Sequence, residues 1–322
     1  MVKPQNFPSF SKANLMNCLA CEQKLEVDSG IDFQSEDFLE IIAICGACGC
    51  GNTIAERVDL ESTPEFRRFG TFVEAYLLIF RLGRTLKIAP KGFFGGEKAI
   101  LDYGCGRGEF LSLMRKFKWK IQGTEYSLQS AKEAFAKSIP IRTYEQHDDE
   151  PIKFFEDNSF NFVTSFHNLE HLDSPRSFLA HAYKKIKVGG KLIIEVPNFG
   201  SVQAKMVRQN WVLLDPGNHR IHFTREGLEI ALKDSKFKIL SISTLSIQYG
   251  ILGMVEALRL RLFKDSQSSV FDQLQRDSSQ KEPKTYLVFI QAAILLIPAV
   301  LFEVVSVFRG RGAVLRVVCR KF

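Results

Sequence analysis

The chain has 322 residues, of which 45% are hydrophobic and 25% are charged. These are ordinary values for globular proteins, and they exclude collagen, a coiled coil or disorder as descriptions of the whole chain. The net charge is +7, yet the first 64 residues contain four basic and ten acidic residues, so an acidic head precedes a basic body. This length predicts two domains, or one large domain with attachments.

The acidic head is rich in cysteine, with five of the seven cysteines in the first fifty residues. Four of them form two Cys-x2-Cys pairs, Cys18 with Cys21 and Cys45 with Cys48. Residues 1–17 lack the apolar core of a signal peptide, which favours a reducing, cytoplasmic location and a metal over disulfides. Two such pairs fit a tetrahedral structural zinc, which would stabilise a head too short for a good core. Cys50 could substitute for Cys48, and the alternative is a degenerate ribbon whose cysteines bind no metal.

Residues 1–62 are therefore predicted to form a zinc-ribbon-like head. Residues 63–97 are predicted to be a helical lid or linker, because apolar residues share one face of a helix over Phe66–Leu86 and Pro90–Gly96 is rich in turn residues.

From Lys98 onward, predicted strands and helices alternate. The predicted strands are Ala99–Asp102, Lys120–Glu125, Ile141–Tyr144, Phe160–Phe166, Lys191–Val196 and Phe237–Leu245. The predicted helices are Glu109–Phe117, Ser127–Lys137 with Ser127 as N-cap, Pro175–Ile186 ended by Gly189 and Gly190, and Leu228–Asp234. This alternation predicts a parallel sheet covered by helices on both faces, with its core over residues 98–249. Residues 313–322 are predicted to supply a final strand beside Phe237–Leu245.

A glycine-rich loop follows the first predicted strand, in the segment Ile100-Leu-Asp-Tyr-Gly-Cys-Gly-Arg-Gly108. Glycines at such a turn let the backbone approach a ligand closely. The dinucleotide fingerprint would need a glycine at Glu109, and the Gly-Lys-Ser/Thr of a phosphate-binding loop is absent. Asp102, two residues before the first glycine, suits an amine-bearing ligand better than a diphosphate. Glu125, at the end of the second strand, could accept both hydroxyls of a ribose. Together they indicate a nucleoside with an amino-acid tail, S-adenosylmethionine.

The stretch Ala99–Leu111 resembles motif I of class I S-adenosylmethionine-dependent methyltransferases, and Glu125 matches their ribose-binding acid. Four further segments resemble motifs of this family or of a bacterial subfamily within it, in the same order: Asn158–Val163, Phe166–Leu172, Val188–Asn198 and Trp211–Thr224. The resemblance covers about Phe66 to Lys321 and implies a Rossmann-like α/β fold with a seven-stranded sheet and helices on both faces.

The resemblance also implies roles for particular residues. Asp102 and the loop residues Gly104, Cys105 and Gly106 should hold the methionine part of the cofactor. Glu125 should bind the ribose and Tyr126 should flank the adenine. Asp148 or Asp149 should contact the adenine amino group, and His167, at the end of the fourth strand, should line the sulfonium site.

Methyl transfer from a sulfonium mainly requires alignment of the methyl group with its acceptor, and alcohols or phenols also benefit from a base. Histidine suits that role at neutral pH. His219 is the first candidate, because it lies in a polar loop after the fifth strand, at the edge of the sheet where ligands bind in such folds. His171 is the second candidate, although a structural hydrogen bond would also explain it.

Residues 250–312 form an apolar insertion before the last strand. Within it, Lys264–Lys284 is polar and rich in Ser and Gln, and it is predicted to be a loop. The run Tyr286–Phe308 has the length of a membrane span, but Gln291, Pro298 and Glu303 interrupt it, and a single crossing would separate the final strand from its sheet. Two interpretations stay open: helices that cap the substrate pocket, or helices that touch a membrane peripherally. The basic residues Arg259, Arg261, Arg309 and Arg311 favour anionic lipid in the second case.

The sequence therefore predicts a methyltransferase that acts on a small-molecule, glycan or lipid-linked acceptor by O- or C-methylation. The alternative is a zinc-ribbon binding or regulatory protein with an inactive methyltransferase-like domain, but the acids Asp102 and Glu125 favour the enzyme. A nucleic-acid acceptor is not expected, because motifs for flipped bases and a dense basic run are both absent.

Overall fold

The computed structural model describes residues 17–25, 31–34, 39–55, 83, 98–144, 151–263, 269–275 and 283–322. The described strands are β1 Ile31–Gln34, β2 Leu39–Ile44, β3 Gly51–Ala55, β4 Ala99–Tyr103, β5 Lys120–Glu125, β6 Ile141–Thr143, β7 Phe160–Phe166, β8 Ile186–Pro197, β9 Ile221–His222, β10 Lys238–Ser243 and β11 Val314–Arg320. The described helices are α1 Glu109–Lys116, α2 Leu128–Ala136, α3 Pro175–Lys185, α4 Val202–Val207, α5 Arg225–Asp234, α6 Gly253–Phe263, α7 Val270–Gln275 and α8 Pro283–Phe308.

Seven strands form the main sheet, in the order β10-β11-β8-β7-β4-β5-β6. The pairs among β4 to β8 are parallel, whereas β11 is antiparallel to both β8 and β10. Helices α1 and α2 pack on one face and α3 and α5 on the other. The predicted Rossmann-like α/β fold is confirmed, with the refinement that β10 forms the edge and β11 lies inside it.

The predicted bounds of β5 and β7 match the structure, and the Ser127 hydroxyl caps α2 by accepting a hydrogen bond from the backbone of Ser130 at 3.3 Å. The prediction for β8 was wrong at its start. Gly189 and Gly190 lie inside the strand, because their backbones exchange hydrogen bonds with Lys321 at 2.9 and 3.0 Å. Tertiary pairing with the end of β11 therefore overrides the local turn signal of the two glycines.

A second, smaller sheet joins the head to the main domain. Its order is β1-β2-β3-β9, and all its pairs are antiparallel. Strand β3 of the head pairs with β9 through Gly51 opposite His222 and Asn52 opposite Ile221. The head thus shares a sheet with the segment that carries the predicted catalytic histidine. The helix predicted over Phe66–Leu86 and its linker lie outside the described residues, apart from Gly83.

The insertion before β11 is helical, as predicted, but one of its parts was misjudged. The stretch predicted as a loop, Lys264–Lys284, contains α7, which is anchored because the Glu256 carboxylate accepts the backbone N–H of Val270 at 3.0 Å. Arg259 was expected to face lipid, and that expectation was wrong. Its side chain is fully buried and pairs with Glu256 at 2.9 Å, so the insertion uses it as an internal contact.

Candidate active site

The glycine loop connects the carboxyl end of β4 to α1. Gly104, Gly106 and Gly108 have φ angles of 76°, 55° and 73°, which are left-handed conformations that glycine adopts without steric cost. At Gly104 a side chain is also excluded by space, because a Cβ there would lie 2.5 Å from the Asn168 side chain. The loop is therefore packed directly against the segment that follows β7.

Two buried carboxylates face this loop. Glu125 accepts the backbone N–H of Gly106 at 2.7 Å and that of Ser127 at 2.9 Å. Burial raises the pKa of Glu125 above its usual value, although these backbone hydrogen bonds oppose the shift. Asp102 accepts a hydrogen bond from the Thr164 hydroxyl at 2.6 Å. The structure thus brings the two predicted acids to the same edge of the sheet.

This arrangement fits the nucleoside cofactor expected for such a loop. Each Glu125 oxygen accepts one backbone N–H and retains further acceptor capacity for a ribose hydroxyl. At Gly106 the loop is open, because a Cβ built there would meet no atom within 4 Å. The neighbouring Tyr126 contacts Tyr144 edge-on, and burial raises its pKa to about 12, so its phenol stays neutral. Asp148 and Asp149 lie outside the described residues.

Cys105 is a structural member of the loop. Its backbone N–H donates to the Thr124 carbonyl at 2.8 Å, and its side chain is buried. Burial raises the pKa of its thiol far above the usual range, so the sulfur is a neutral packing group and not a nucleophile.

Three histidine rings meet beside the loop, at the carboxyl edge of the sheet. His171 and His219 contact edge-on with ring centroids 4.7 Å apart, and His222 lies 5.8 Å from His219. Glu170, His171 and His219 each offer a ligand atom within 4.8 Å of the other two, so this group could relay a proton or hold a cation. Asn168, which packs on Gly104, belongs to the same short segment and places the cluster next to the cofactor loop.

The two predicted catalytic histidines differ in their hydrogen bonds. The Nδ1 of His171 lies 3.1 Å from the Asn218 carbonyl oxygen, which can only accept, so this nitrogen carries a proton and the neutral tautomer of the ring has its lone pair on Nε2. Burial lowers the pKa of His219 well below its usual value, and the nearby rings of His171 and His222 lower it further. His219 is therefore neutral at physiological pH, and one of its ring nitrogens can accept a proton.

His167 lies at the end of β7 in a charged environment. Its ring is 3.1 Å from a Glu195 oxygen and 3.5 Å from a Glu170 oxygen, and Arg316 pairs with the same Glu195. Burial by itself lowers the pKa of His167, but hydrogen bonds to Glu170 and Glu195 outweigh it and raise the pKa to about 9. His167 is consequently a cation at neutral pH, which makes it a poor base. Its predicted place beside the sulfonium stays a prediction.

The four predicted zinc ligands converge in the head. The sulfurs of Cys18 and Cys48 are 3.6 Å apart, those of Cys21 and Cys45 are 3.5 Å apart, and all four lie within 4.8 Å of one another. Tetrahedral bonds of about 2.3 Å from zinc to sulfur imply sulfur separations of about 3.8 Å, so the geometry is compatible with this metal. Burial raises the pKa of the Cys21 thiol to about 11, so a cation is needed to make it a thiolate at neutral pH.

The fifth cysteine of the head, Cys50, has another partner. Its sulfur lies 3.3 Å from the backbone nitrogen of Thr224 and 3.5 Å from that residue's hydroxyl, at the start of α5. A Cβ on Gly227 would lie 2.1 Å from the same sulfur, so this glycine is required for the close approach. Cys50 therefore docks the head on the main domain. Its thiol also neighbours that of Cys48, and its role as a substitute ligand stays a prediction.

Thr53, which sequence reasoning missed, links the head to the histidine cluster. Its hydroxyl donates to the His219 carbonyl at 2.7 Å and therefore accepts from Nε2 of His222 at 3.1 Å. Its backbone N–H donates to the Arg220 carbonyl at 3.0 Å. No local pattern could have identified this threonine, because its partners are more than 160 positions away along the chain.

The chain is similar to known methyltransferases. The family model described as a methyltransferase domain matches residues 78–242, about half of the chain. A ubiquinone biosynthesis O-methyltransferase from Idiomarina loihiensis is 29% identical over 110 residues, which are 33% of this chain and 44% of that protein. The chain thus spans less than half the length of this curated relative.

Two solved structures are among those similar to this chain. An S-adenosylmethionine-dependent methyltransferase from Archaeoglobus fulgidus is 20% identical, with 76% of this chain and 94% of that chain covered and a TM-score of 0.48. One from Mesorhizobium loti is 14% identical, with 76% and 98% covered and a TM-score of 0.44.

Proposed function

This chain belongs to the class I S-adenosylmethionine-dependent methyltransferases, and we propose that it methylates an oxygen or carbon atom of a small-molecule, glycan or lipid-linked acceptor. The observation that carries this proposal is the pair of imidazoles, His171 and His219, whose rings contact each other beside the glycine loop. The resemblance to an O-methyltransferase over 110 residues supports oxygen as the acceptor atom.

The residues of the site have different roles in methyl transfer. When bound, S-adenosylmethionine would supply an electrophilic methyl group, and the glycine loop, Asp102 and Glu125 would hold it. An acceptor hydroxyl placed at the histidine pair would lose its proton to Nε2 of His171 or to the ring of His219 as the methyl group arrives. His167 is held as a cation by the carboxylates of Glu170 and Glu195. Its ring positions the segment after β7 next to β8 and does not take the proton.

The decisive experiment uses S-adenosylmethionine with a labelled methyl group, purified protein and a small-molecule and lipid extract of the source cells. We expect one labelled product in the reaction with the wild-type protein and at least a tenfold lower rate with His171→Asn or His219→Asn. His181→Asn is the matched control, because that ring bonds only within its own helix. Full cofactor binding without any labelled product from the extract would favour the regulatory alternative.

We further propose that the four clustered cysteines hold one structural zinc. Protein purified without added metal should contain one zinc per chain by elemental analysis, and Cys21→Ser should abolish it. Cys50→Ser is the matched control, because Cys50 contacts Thr224 and lies outside the cluster. Loss of zinc in the Cys50 variant with retention in the Cys21 variant would overturn this ligand set.

The apolar insertion supports a third proposal, peripheral contact with a membrane. Helix α8 contains a stretch, Thr285–Phe308, that is long and apolar enough to cross a membrane by length and composition. Its polar residues Gln291, Glu303 and Ser306 are buried against the domain, whereas its opposite face is exposed and apolar. The largest exposed side chains on that face are Tyr286, Ile290, Ile294, Ile297, Leu301 and Phe308.

An exposed apolar face of this length is costly in water and suits the interfacial layer of a bilayer. The protein should therefore sediment with anionic vesicles, and the combined change Ile294→Ser, Ile297→Ser and Leu301→Ser should reduce the bound fraction about tenfold. If the wild-type protein stays in the supernatant at low salt, the helix is a cap and has no membrane role.

A further inference from the structure

A basic cavity of about 960 Å³ lies next to the histidine cluster and is not used by the methyl-transfer site described above. The head contributes Ile44 and Gly49 to its wall, and the turn after β8 contributes Asn198, Phe199 and Gly200. The remaining wall comes from α4, from the start of α5 and from the residues that follow α8. The cavity therefore exists only where the head, the main domain and the insertion meet.

The lining of this cavity is mainly cationic. Its lining carries five cationic side chains and one carboxylate, that of Glu226; the cations are Lys205, Arg208, Arg225, Arg309 and Arg311. Arg225 is paired with Glu229 at 2.8 Å. Within the part of the chain that the structure describes, the other four cationic side chains form no ion pair. A neighbouring cavity shares Lys205 and Arg208 and adds Arg261, so the basic surface continues beyond the main opening.

Unpaired cations that converge on one cavity repel each other, and an anion bound among them removes that repulsion. Arginine forks match the oxygens of phosphate groups through paired hydrogen bonds, and lysine adds a point charge. We propose that this cavity binds the phosphate or diphosphate group of an anionic amphiphile.

The apolar part of the ligand is inferred from the surface beside the cavity. Arg309 follows Phe308 directly, and Phe308 is 88% exposed at the end of α8. The exposed apolar face of α8 therefore begins at the rim of the basic cavity. A phosphate held by Arg309 and Arg311 would place an attached hydrocarbon chain, or the surface of a bilayer, along this face.

The cavity also adjoins the histidine cluster. The ring of Phe199, which lines the cavity, lies 5.6 Å from that of His222, and His222 lies 5.8 Å from His219. Two successive ring contacts, Phe199 with His222 and His222 with His219, thus connect the cavity wall to the candidate base. The inference that this ligand is the methyl acceptor rests on the proposed function. The inference that the cavity binds a phosphate group does not.

The first test is calorimetric titration of the full-length protein with inorganic diphosphate. We expect saturable binding, weakened about tenfold or more in Lys205→Glu/Arg208→Glu and in Arg309→Glu/Arg311→Glu, because charge-assisted hydrogen bonds are lost. The matched control is Lys116→Glu/Lys132→Glu, which makes the same charge change at exposed positions on α1 and α2. Unchanged S-adenosylmethionine binding and melting temperature verify that each variant is folded.

The second test separates the two sources of the phosphate group. Vesicles of phosphatidylcholine with phosphatidic acid should bind the protein, free diphosphate should displace it, and vesicles of phosphatidylcholine alone should bind it at least tenfold less. If diphosphate binds but the anionic vesicles do not, the ligand is a soluble phosphate ester and the amphiphile is refuted. If diphosphate does not bind, or the control variant weakens it equally, the phosphate site is refuted, whatever the result of the methyl-transfer assay.

Discussion

Replacing Glu125 with glutamine tests whether this carboxylate both organises the glycine loop and binds the cofactor. The carboxylate accepts two backbone N–H groups, those of Gly106 and Ser127. A glutamine amide offers only one oxygen, so one N–H loses its acceptor and faces an NH2 group instead. A buried donor without a partner costs about 1–3 kcal/mol, so the variant should unfold at a lower denaturant concentration than the wild-type protein.

Cofactor affinity should fall as well, because a ribose hydroxyl would lose a charged acceptor worth about 1.5–3 kcal/mol. This corresponds to a dissociation constant about 10 to 150 times higher in calorimetry with S-adenosylmethionine or its demethylated product. Burial raises the pKa of Glu125, so wild-type affinity should decline toward acid pH with a midpoint above 4.5, and the affinity of the variant should not.

The matched control is Glu109→Gln, at the first residue of α1, directly after the glycine loop. Glu109 is 41% exposed and pairs with Lys137 at 2.8 Å, so its neutralisation should change the dissociation constant less than twofold. If the Glu125 variant binds the cofactor as tightly as the wild-type protein, or if both variants lose the same affinity, the assignment of Glu125 to the ribose is refuted.

Three further predictions concern the contacts around the site. Thr53→Val removes the hydroxyl that donates to the buried carbonyl of His219, so the free energy of unfolding should fall by about 1–3 kcal/mol in urea titrations. An unchanged midpoint would show that the head does not support the loop that carries His219. Gly227→Ala forces a methyl group against the Cys50 sulfur and should cost about 1–3 kcal/mol in thermal unfolding, whereas Gly46→Ala, which meets no atom within 4 Å, should cost less than half as much. The ring of His167 should titrate near pH 9 by NMR. Its folded-state pKa is raised, so its contribution to stability is complete below pH 6.5 and is lost as the pH rises through 9; a midpoint near 6.5 would contradict the double carboxylate environment.

The sequence determined those features that depend on neighbouring residues. The strand, glycine loop and helix around Gly104 follow from apolar runs and left-handed backbone positions, both of which are local. The cap at Ser127 is local as well. The two cysteine pairs predicted a common cluster because each pair brings two thiols together by spacing alone, and the structure brings the two pairs into one group.

Only the tertiary structure decided how these pieces meet. The docking of the head depends on strand pairing and on Cys50, whose partner Thr224 lies 174 positions away. Arg259 is buried because Glu256 pairs with it and α7 packs at the same place. Counting the basic residues of the sequence reveals neither contact. The basic cavity likewise forms only where the head, the main domain and the insertion meet. Contacts of this kind form when segments that are distant in the sequence pack together. The periodicity of one segment predicts which of its faces is buried, but it does not identify the segment that covers that face.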